Sequence, residues 1–302
     1  MKILIVASGN SNALNPFIAD QMAALMKEHV VMDYFLIKGS GVSGYLSNYK
    51  ALLKKIKEYN PDILHAHYGL SGLFASLQRK KPVITTFHGC DVNVPKLRAI
   101  SFLADKLSAK SIFISTKLAN KLNKKDPTVI PCGIDLDVFY PMDKNSAREK
   151  LNLSKSKKYI LFSSAFSNHV KNFPLAQEAV SMTGNKNLEI LELKGYNREE
   201  VALLMNAVDL VLLTSLREGS PQFIKEAMSC NTPIVSVDVG DVKDVISTTK
   251  GCYIAENNSE DISFKIEKAL ELEEVTKGRE NIQQFDNKII AKDIIAIYNS
   301  II

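Results

Sequence analysis

Residues 213–242 read LTSLREGSPQFIKEAMSCNTPIVSVDVGDV, and the order of residue types in this stretch sets the architecture expected of the whole chain. The apolar run LVLLTS leads into it as a strand, Arg217 to Ser220 form a loop, residues 222–229 have helical character, and PIVSVDV is a second strand after the turn NTP. This is a βαβ unit, and its loop lies at the carboxyl edge of a parallel sheet, where such sheets bind ligands. Ser220 before Pro221 reads as a helix start, with the serine hydroxyl accepting from the freed amides and proline at the first helical position. The amides at that end suit a diphosphate. Glu218 in the loop and Glu226 in the helix, with seven residues between them, offer carboxylates to the paired hydroxyls of a sugar and a ribose.

The same alternation runs along nearly the whole chain. In the first half, strands are expected at KILIVAS, VMDYFLI, ILHAHY, VITTFH, SIFIS and TVIPC, separated by amphipathic helices. After the polar stretch DKNSAREKLNLSKSKK, read as a linker, a second series follows at YILFSSAF, LEILEL, LVLLTS, PIVSVDV and GCYIA. The strands are apolar on both faces, as a sheet covered on both sides requires. The expected division is a domain over 1–141, a second over 155–285, and a last helix over 286–302 that packs back on the first.

At 302 residues with 46% hydrophobic and 24% charged residues, the chain suits two globular domains. It has no apolar run of the roughly 20 residues that span a bilayer. MKILIVASGN reads as a first strand and not a signal peptide, so a cytoplasmic location is expected. Four scattered cysteines point to neither zinc nor disulfides. Residues 1–141 hold 18 Lys and Arg against 10 Asp and Glu, while residues 142–302 hold 20 against 23. Lys106, Lys110, Lys117, Lys121, Lys124 and Lys125 lie close together in the basic half, and a helix presenting them suits an anionic surface such as the inner face of a membrane, or is a solvated face. Nothing points to nucleic acid.

One stretch argues for a different chemistry. In KGSGVSGYL, Gly39, Gly41 and Gly44 have the G-x-G-x-x-G spacing of a dinucleotide turn. That turn belongs after the first strand, with an acidic residue at the tip of the next. Here the glycines follow the second strand, and Glu58 lies in a Lys-rich helical segment, so they read as a loop before a helix beginning near Tyr45.

The stretch EGSPQFIKEAMSCNTPIV resembles the donor-binding signature of the retaining glycosyltransferases of family 4, and ILHAHYGLSG, TTFHGCDVN and VIPCGIDLDVF are similar to that family's first-domain segments. The resemblance covers nearly the whole chain. It implies an α/β GT-B fold: two doubly wound Rossmann-like domains facing across a cleft, the first binding the acceptor and the second the nucleotide sugar. It also implies Glu218 at the sugar, Glu226 at the ribose, and Gly219, Ser220, Pro221 and Gln222 at the phosphates, with Gly9 in the first turn. No metal or cofactor is implied; the co-substrate is a UDP- or GDP-linked sugar. Lys171 matches the lysine that faces the leaving diphosphate, whereas Phe166 stands where the family has an arginine, and Arg217 is offered for that second charge. His88 matches a histidine near the sugar and acceptor, in a positioning or proton-handling role. His67 and Asp91 are placed on the acceptor side, with Asp91 orienting His88 or binding acceptor, and Tyr196 and Asn197 near the base. The second domain is one strand and helix short of longer relatives, like members acting on bacterial envelope polysaccharides. The expected function is therefore glycosyl transfer to an envelope or lipid-linked glycan. The alternatives are a nucleotide-sugar epimerase of the same fold and a non-catalytic partner subunit.

Overall fold

The computed structural model describes residues 1–302 apart from Ser11, Ser40 and the side chain of Val42. The chain forms two compact units, Met1–Gly133 with Asn287–Ile302, and Ile134–Asp286.

The first unit is a parallel six-stranded sheet of β1 Lys2–Ser8, β2 Val31–Ile37, β3 Ile63–His67, β4 Val83–Phe87, β5 Lys110–Phe113 and β6 Thr128–Val129, in the order β2-β1-β3-β4-β5-β6. Alternate residues of β1 enter different cores, as a period of two dictates. Ile3, Ile5 and Ala7 pack with Ile18 and Leu25 of helix Pro16–Lys27, whereas Leu4 and Val6 pack with Leu52, Ile56 and Phe74 on the other face. The final helix, Asn287–Asn299, inserts Ile290, Ala291, Ile294 and Tyr298 into the first of these cores.

The second unit is a parallel sheet of β7 Lys158–Phe162, β8 Leu188–Glu192, β9 Leu210–Leu213, β10 Ile234–Val237 and β11 Cys252–Ala255, in the order β11-β10-β9-β7-β8. Tyr159 and Leu161 face one core with Val211 and Leu213; Ile160 and Phe162 face the other with Leu210 and Leu212. Since β8 lies to one side of β7 and β9 to the other, the topological switch falls between β7 and β9. The crevice for a ligand opens at the carboxyl ends of those two strands.

Several boundaries differ from the sequence expectation. The expected linker contains helix Lys144–Lys150, capped by the Asp143 carboxylate, which accepts from the Ser146 amide at 2.8 Å. Its Arg148 is buried, donating to Asp209 and to the Ala207 carbonyl at 2.8 Å each. One buried arginine anchors what composition marked as polar and loose. Residues 134–141 also lie with the second unit, because Ile134, Leu136 and Phe139 are buried in its core. The helix expected from Tyr45 begins at Gly41 and breaks at Asn48, whose amide group donates to the carbonyls of Lys38 and Gly44.

Candidate active site

The switch point of the second unit is built by a tie between two loops. After β7 the chain makes a short 3₁₀ turn, His169–Lys171, in which the Asn168 side chain accepts from the Val170 amide at 3.2 Å. After β9, the buried Thr214 hydroxyl reaches back to the carbonyls of Lys171 and Asn172 at 2.9 and 3.0 Å, and the Leu216 amide donates to the Val170 carbonyl at 2.9 Å. These bonds fix the two loops side by side. As a result Lys171 Nζ meets Glu218 Oε1 at 2.6 Å, with the side chains only 19% and 15% exposed.

Helix Gln222–Ser229 starts immediately beyond. Ser220 does not cap it: Pro221 occupies the cap position, with no side-chain cap bond. The serine hydroxyl turns beneath the loop, where it accepts from Lys225 Nζ at 2.7 Å. The reason is competition, since a buried ammonium needs an acceptor more than an amide that can meet a ligand or water. The helix therefore presents backbone donors beside the Lys171–Glu218 pair, which is the arrangement that binds phosphates. The loop also depends on Gly240: at φ +59, a side chain there would stand 2.5 Å from the Gly219 carbonyl.

Glu226 is buried and accepts from Arg198 Nη1 at 3.0 Å; the guanidinium lies over the Phe139 ring, 4.7 Å from its centre. Arg198 escaped the sequence reading, because its position before a helix looked like solvated surface and its partners lie 28 residues ahead and 59 behind. Arg217, the sequence candidate for the second charge, is exposed. Phe166 stacks on Phe173 with ring centres 3.8 Å apart, so the position of the family's arginine is occupied by an aromatic pair. Asn197 caps the next helix: its side chain accepts from the Glu200 amide at 2.9 Å while Glu200 accepts from its backbone at 2.8 Å, a capping box. Tyr196 is exposed.

In the first unit, His65, His67 and His88 form a stack, with successive ring centres 4.7 and 5.1 Å apart. His65 bonds the Tyr298 hydroxyl at 2.6 Å and Thr86 at 2.7 Å, so it serves the core rather than a ligand. His67 Nδ1 meets His88 Nε2 at 2.9 Å, and Cys132 Sγ lies 3.6 Å from His88 Nδ1. Burial lowers His65 and His88 to about 3 and pushes His67 well below its ordinary value, so all three rings are neutral near pH 7. Asp91 does not orient His88 through its ring. It is buried, and its carboxylate accepts from the amides of Gly69 and Gly89 at 3.0 and 2.8 Å, tying the loops after β3 and β4 together.

Gly9 donates its amide to the Ile37 carbonyl at 2.9 Å, and a side chain there would fall 2.3 Å from Leu36 Cβ; its smallness serves the approach of β2. Gly39 and Gly44 pack on each other, with a Cβ on Gly44 falling 2.7 Å from the Gly39 carbonyl carbon. The dinucleotide-like spacing is thus a backbone contact between a loop and its helix. Beside these turns, Tyr45, Tyr68, Leu70, Leu97 and Ile100 line an apolar cavity of about 270 Å³ with Cys90 at its edge. Among the described residues, no group of three or more His, Cys, Asp or Glu is placed to hold a metal ion.

Two Rossmann-like units, the second with a charged pair at its switch point, define the GT-B class of α/β proteins. The family model "Glycosyltransferase Family 4" matches residues 14–138, and "Glycosyl transferases group 1" matches residues 182–288. The chain belongs to glycosyltransferase family 4. It is 29% identical over 223 residues to the putative teichuronic acid biosynthesis glycosyltransferase TuaC of Bacillus subtilis, covering 64% of this chain and 57% of that protein. It is 24% identical to the N-acetyl-alpha-D-glucosaminyl L-malate synthase of Bacillus anthracis, covering 83% of this chain and 79% of that one. The chain thus spans little more than half the length of TuaC. Among solved structures, sucrose-phosphate synthase from Thermosynechococcus elongatus superposes with a TM-score of 0.82 at 17% identity over 99% of this chain and 98% of that one. Anabaena HepE in complex with UDP and glucose gives 0.78 at 18% identity over 99% and 100%. These likenesses carry the fold.

Proposed function

We propose that the protein is a retaining glycosyltransferase that moves a sugar from a nucleoside diphosphate to a cell-envelope or lipid-linked glycan. The observation that carries this reading is the Lys171–Glu218 pair, held at the switch point next to the first-turn amides of helix Gln222–Ser229. In the reaction the bond from the anomeric carbon to the β-phosphate oxygen breaks, a bond to the acceptor oxygen forms, and the acceptor proton passes to the leaving phosphate. Negative charge accumulates on the diphosphate, where the Lys171 ammonium and the backbone amides oppose it. Glu218 accepts from sugar hydroxyls and is held in place by its pairing with Lys171. Glu226 accepts from the ribose and is oriented by Arg198. In the first unit, His88 acts as a neutral positioning ring on the acceptor side, backed by His67.

UDP is the favoured nucleotide, supported by the UDP bound to HepE, with GDP the other candidate. A lipid-linked acceptor is supported by the Campylobacter jejuni relative, 24% identical and named for transfer to a diphospho-undecaprenol glycan, and by the apolar cavity beside Tyr68. The six lysines are spread over helix Pro95–Leu107, β5, helix Thr116–Lys121 and the turn after it rather than on one helix, and Lys124 is spent on Asp105 at 2.7 Å. Exposed Phe102 and Leu103 lie on the first of these helices, with Lys106 over the Phe102 ring, a combination that suits the cytoplasmic face of an anionic membrane. No helix among the described residues is long and apolar enough to cross a membrane.

The test is turnover of a panel of UDP- and GDP-sugars with a polyprenyl diphosphate-linked glycan. Transfer with retained anomeric configuration, abolished in Glu218→Ala, is the expected outcome. Conversion of the donor sugar without acceptor, or no turnover of any donor, would reject the reading.

A further inference from the structure

Lys225 sits in the middle of helix Gln222–Ser229 with none of its surface exposed, although lysine is among the residues most rarely buried. Its ammonium donates to Ser220 Oγ at 2.7 Å and lies 4.8 Å from the centre of the Phe285 ring. The Ser220 hydroxyl in turn bonds the buried Asp241 carboxylate. Burial pushes that carboxyl up, and the Lys225 charge and the Ser220 bond hold it back. Ser220 and Asp241 belong to two different loops, and these meet again where Gly240 packs against the Gly219 carbonyl. A hydrogen-bonded column under the loop, from Lys225 to Asp241, thus passes through a single hydroxyl.

We infer that Lys225 is a positioning residue for the diphosphate: acting through Ser220 and Asp241, it clamps residues 218–220 to the 240–241 loop and so sets where the amides at the start of helix Gln222–Ser229 point. This rests on the reading of residues 219–222 as the phosphate seat. The chemistry supports a clamp rather than a contact. The Ser220 oxygen accepts from the ammonium and its one proton goes to Asp241, so its side chain has no donor left for a phosphate. A buried ammonium and carboxylate cost desolvation that an apolar pair would avoid, and their return is a single arrangement of the loop they join. A lysine pointing into the protein thereby governs a surface that it does not reach.

The experiment uses the full chain and three probes, inorganic pyrophosphate, UDP and GDP, titrated calorimetrically against wild type, Lys225→Met/Asp241→Asn and Lys225→Gln/Asp241→Asn. Both double variants remove the charges together, which avoids a lone buried carboxylate, and thermal unfolding checks that each is folded. The expected result is a Met variant that melts within a few degrees of wild type but binds roughly tenfold more weakly, since one charge-assisted bond orders the loop. The Gln variant keeps an N–H for Ser220 and recovers most of that affinity; with a real donor sugar the loss falls on KM more than on kcat. Equal affinity of wild type and a folded Met variant would overturn the positioning role, as would equal weakness of the Met and Gln variants. If the Met variant does not fold, the Gln variant against wild type decides by the same comparison, a tenfold or greater loss overturning the role. Wild type that binds none of the three probes would instead remove the phosphate seat, and the clamp with it.

Discussion

The Lys171 ammonium and the Glu218 carboxylate stand 2.6 Å apart although 47 positions separate them in the chain. The Thr214 hydroxyl, bonded to the carbonyls of Lys171 and Asn172, brings the two loops together without touching either side chain. Substitution of either member of the pair should therefore cost activity and leave the fold. Lys171→Ala and Glu218→Ala should each lower kcat/KM for the donor on the order of 100-fold, the scale of losing one preorganised charge at a reacting centre. Circular dichroism and melting temperature should stay close to wild type, and unchanged turnover in a folded variant would count against the site.

Arg198 should act through Glu226. Arg198→Ala frees a buried carboxylate from its partner and should raise the donor KM roughly tenfold, the cost of one charge-assisted bond. Because the two residues work as a unit, Arg198→Ala/Glu226→Ala should bind donor no worse than Glu226→Ala alone. Additive losses in that cycle would show that Arg198 meets the donor by itself.

Asp209 ties helix Lys144–Lys150 to the second unit. Burial alone would raise its carboxyl, but the Tyr159 amide at 2.7 Å and the charges of Lys144 and Lys158 outweigh that and hold it below the ordinary range. A depressed carboxyl stabilises the fold above its unfolded value of about 3.9 and loses that contribution as pH falls through the folded value. Asp209→Asn leaves Arg148 buried without its counter-charge and should cost about 3 kcal/mol at pH 7. Denaturant unfolding at pH 7 and again below about pH 3.9 measures both effects, and the variant's deficit should narrow only in that acid range, as the wild-type carboxyl protonates.

The stacked histidines give the first unit an acid sensitivity of its own. Their folded values lie far below the ordinary 6.5, so between about pH 3 and 6.5 the unfolded chain binds more protons. Stability is complete above that window and falls through it, by about 1.4 kcal/mol per pH unit for each ring that remains neutral. His65→Phe should be less stable at pH 7, having lost Tyr298 and Thr86 as partners, yet show a shallower decline in urea midpoint between pH 6 and 4. A slope equal to wild type would mean that His65 does not take part.

The strands were legible because each is a short apolar run between polar turns, and helix Gln222–Ser229 because its apolar residues fall at helical spacing. Helix ends were less legible. Ser220 and Asn197 have similar cap chemistry before a helix, yet only Asn197 caps, since a buried lysine claims the Ser220 oxygen. Composition also misled at residues 144–150, where a run of charged residues hides a single arginine with a buried partner 61 positions away.

Local residue order thus determined the parallel α/β architecture, the loop of Glu218 and the family to which the chain belongs, because hydrophobic period and turn chemistry act over a few residues. Tertiary structure alone decided which polar groups meet: Lys171 with Glu218, Arg198 with Glu226, and Lys225 with Ser220, which in turn bonds Asp241. A pairing between side chains depends on where two distant loops are carried by the sheet and on how little water remains around them, and neither quantity is written in any short stretch of sequence.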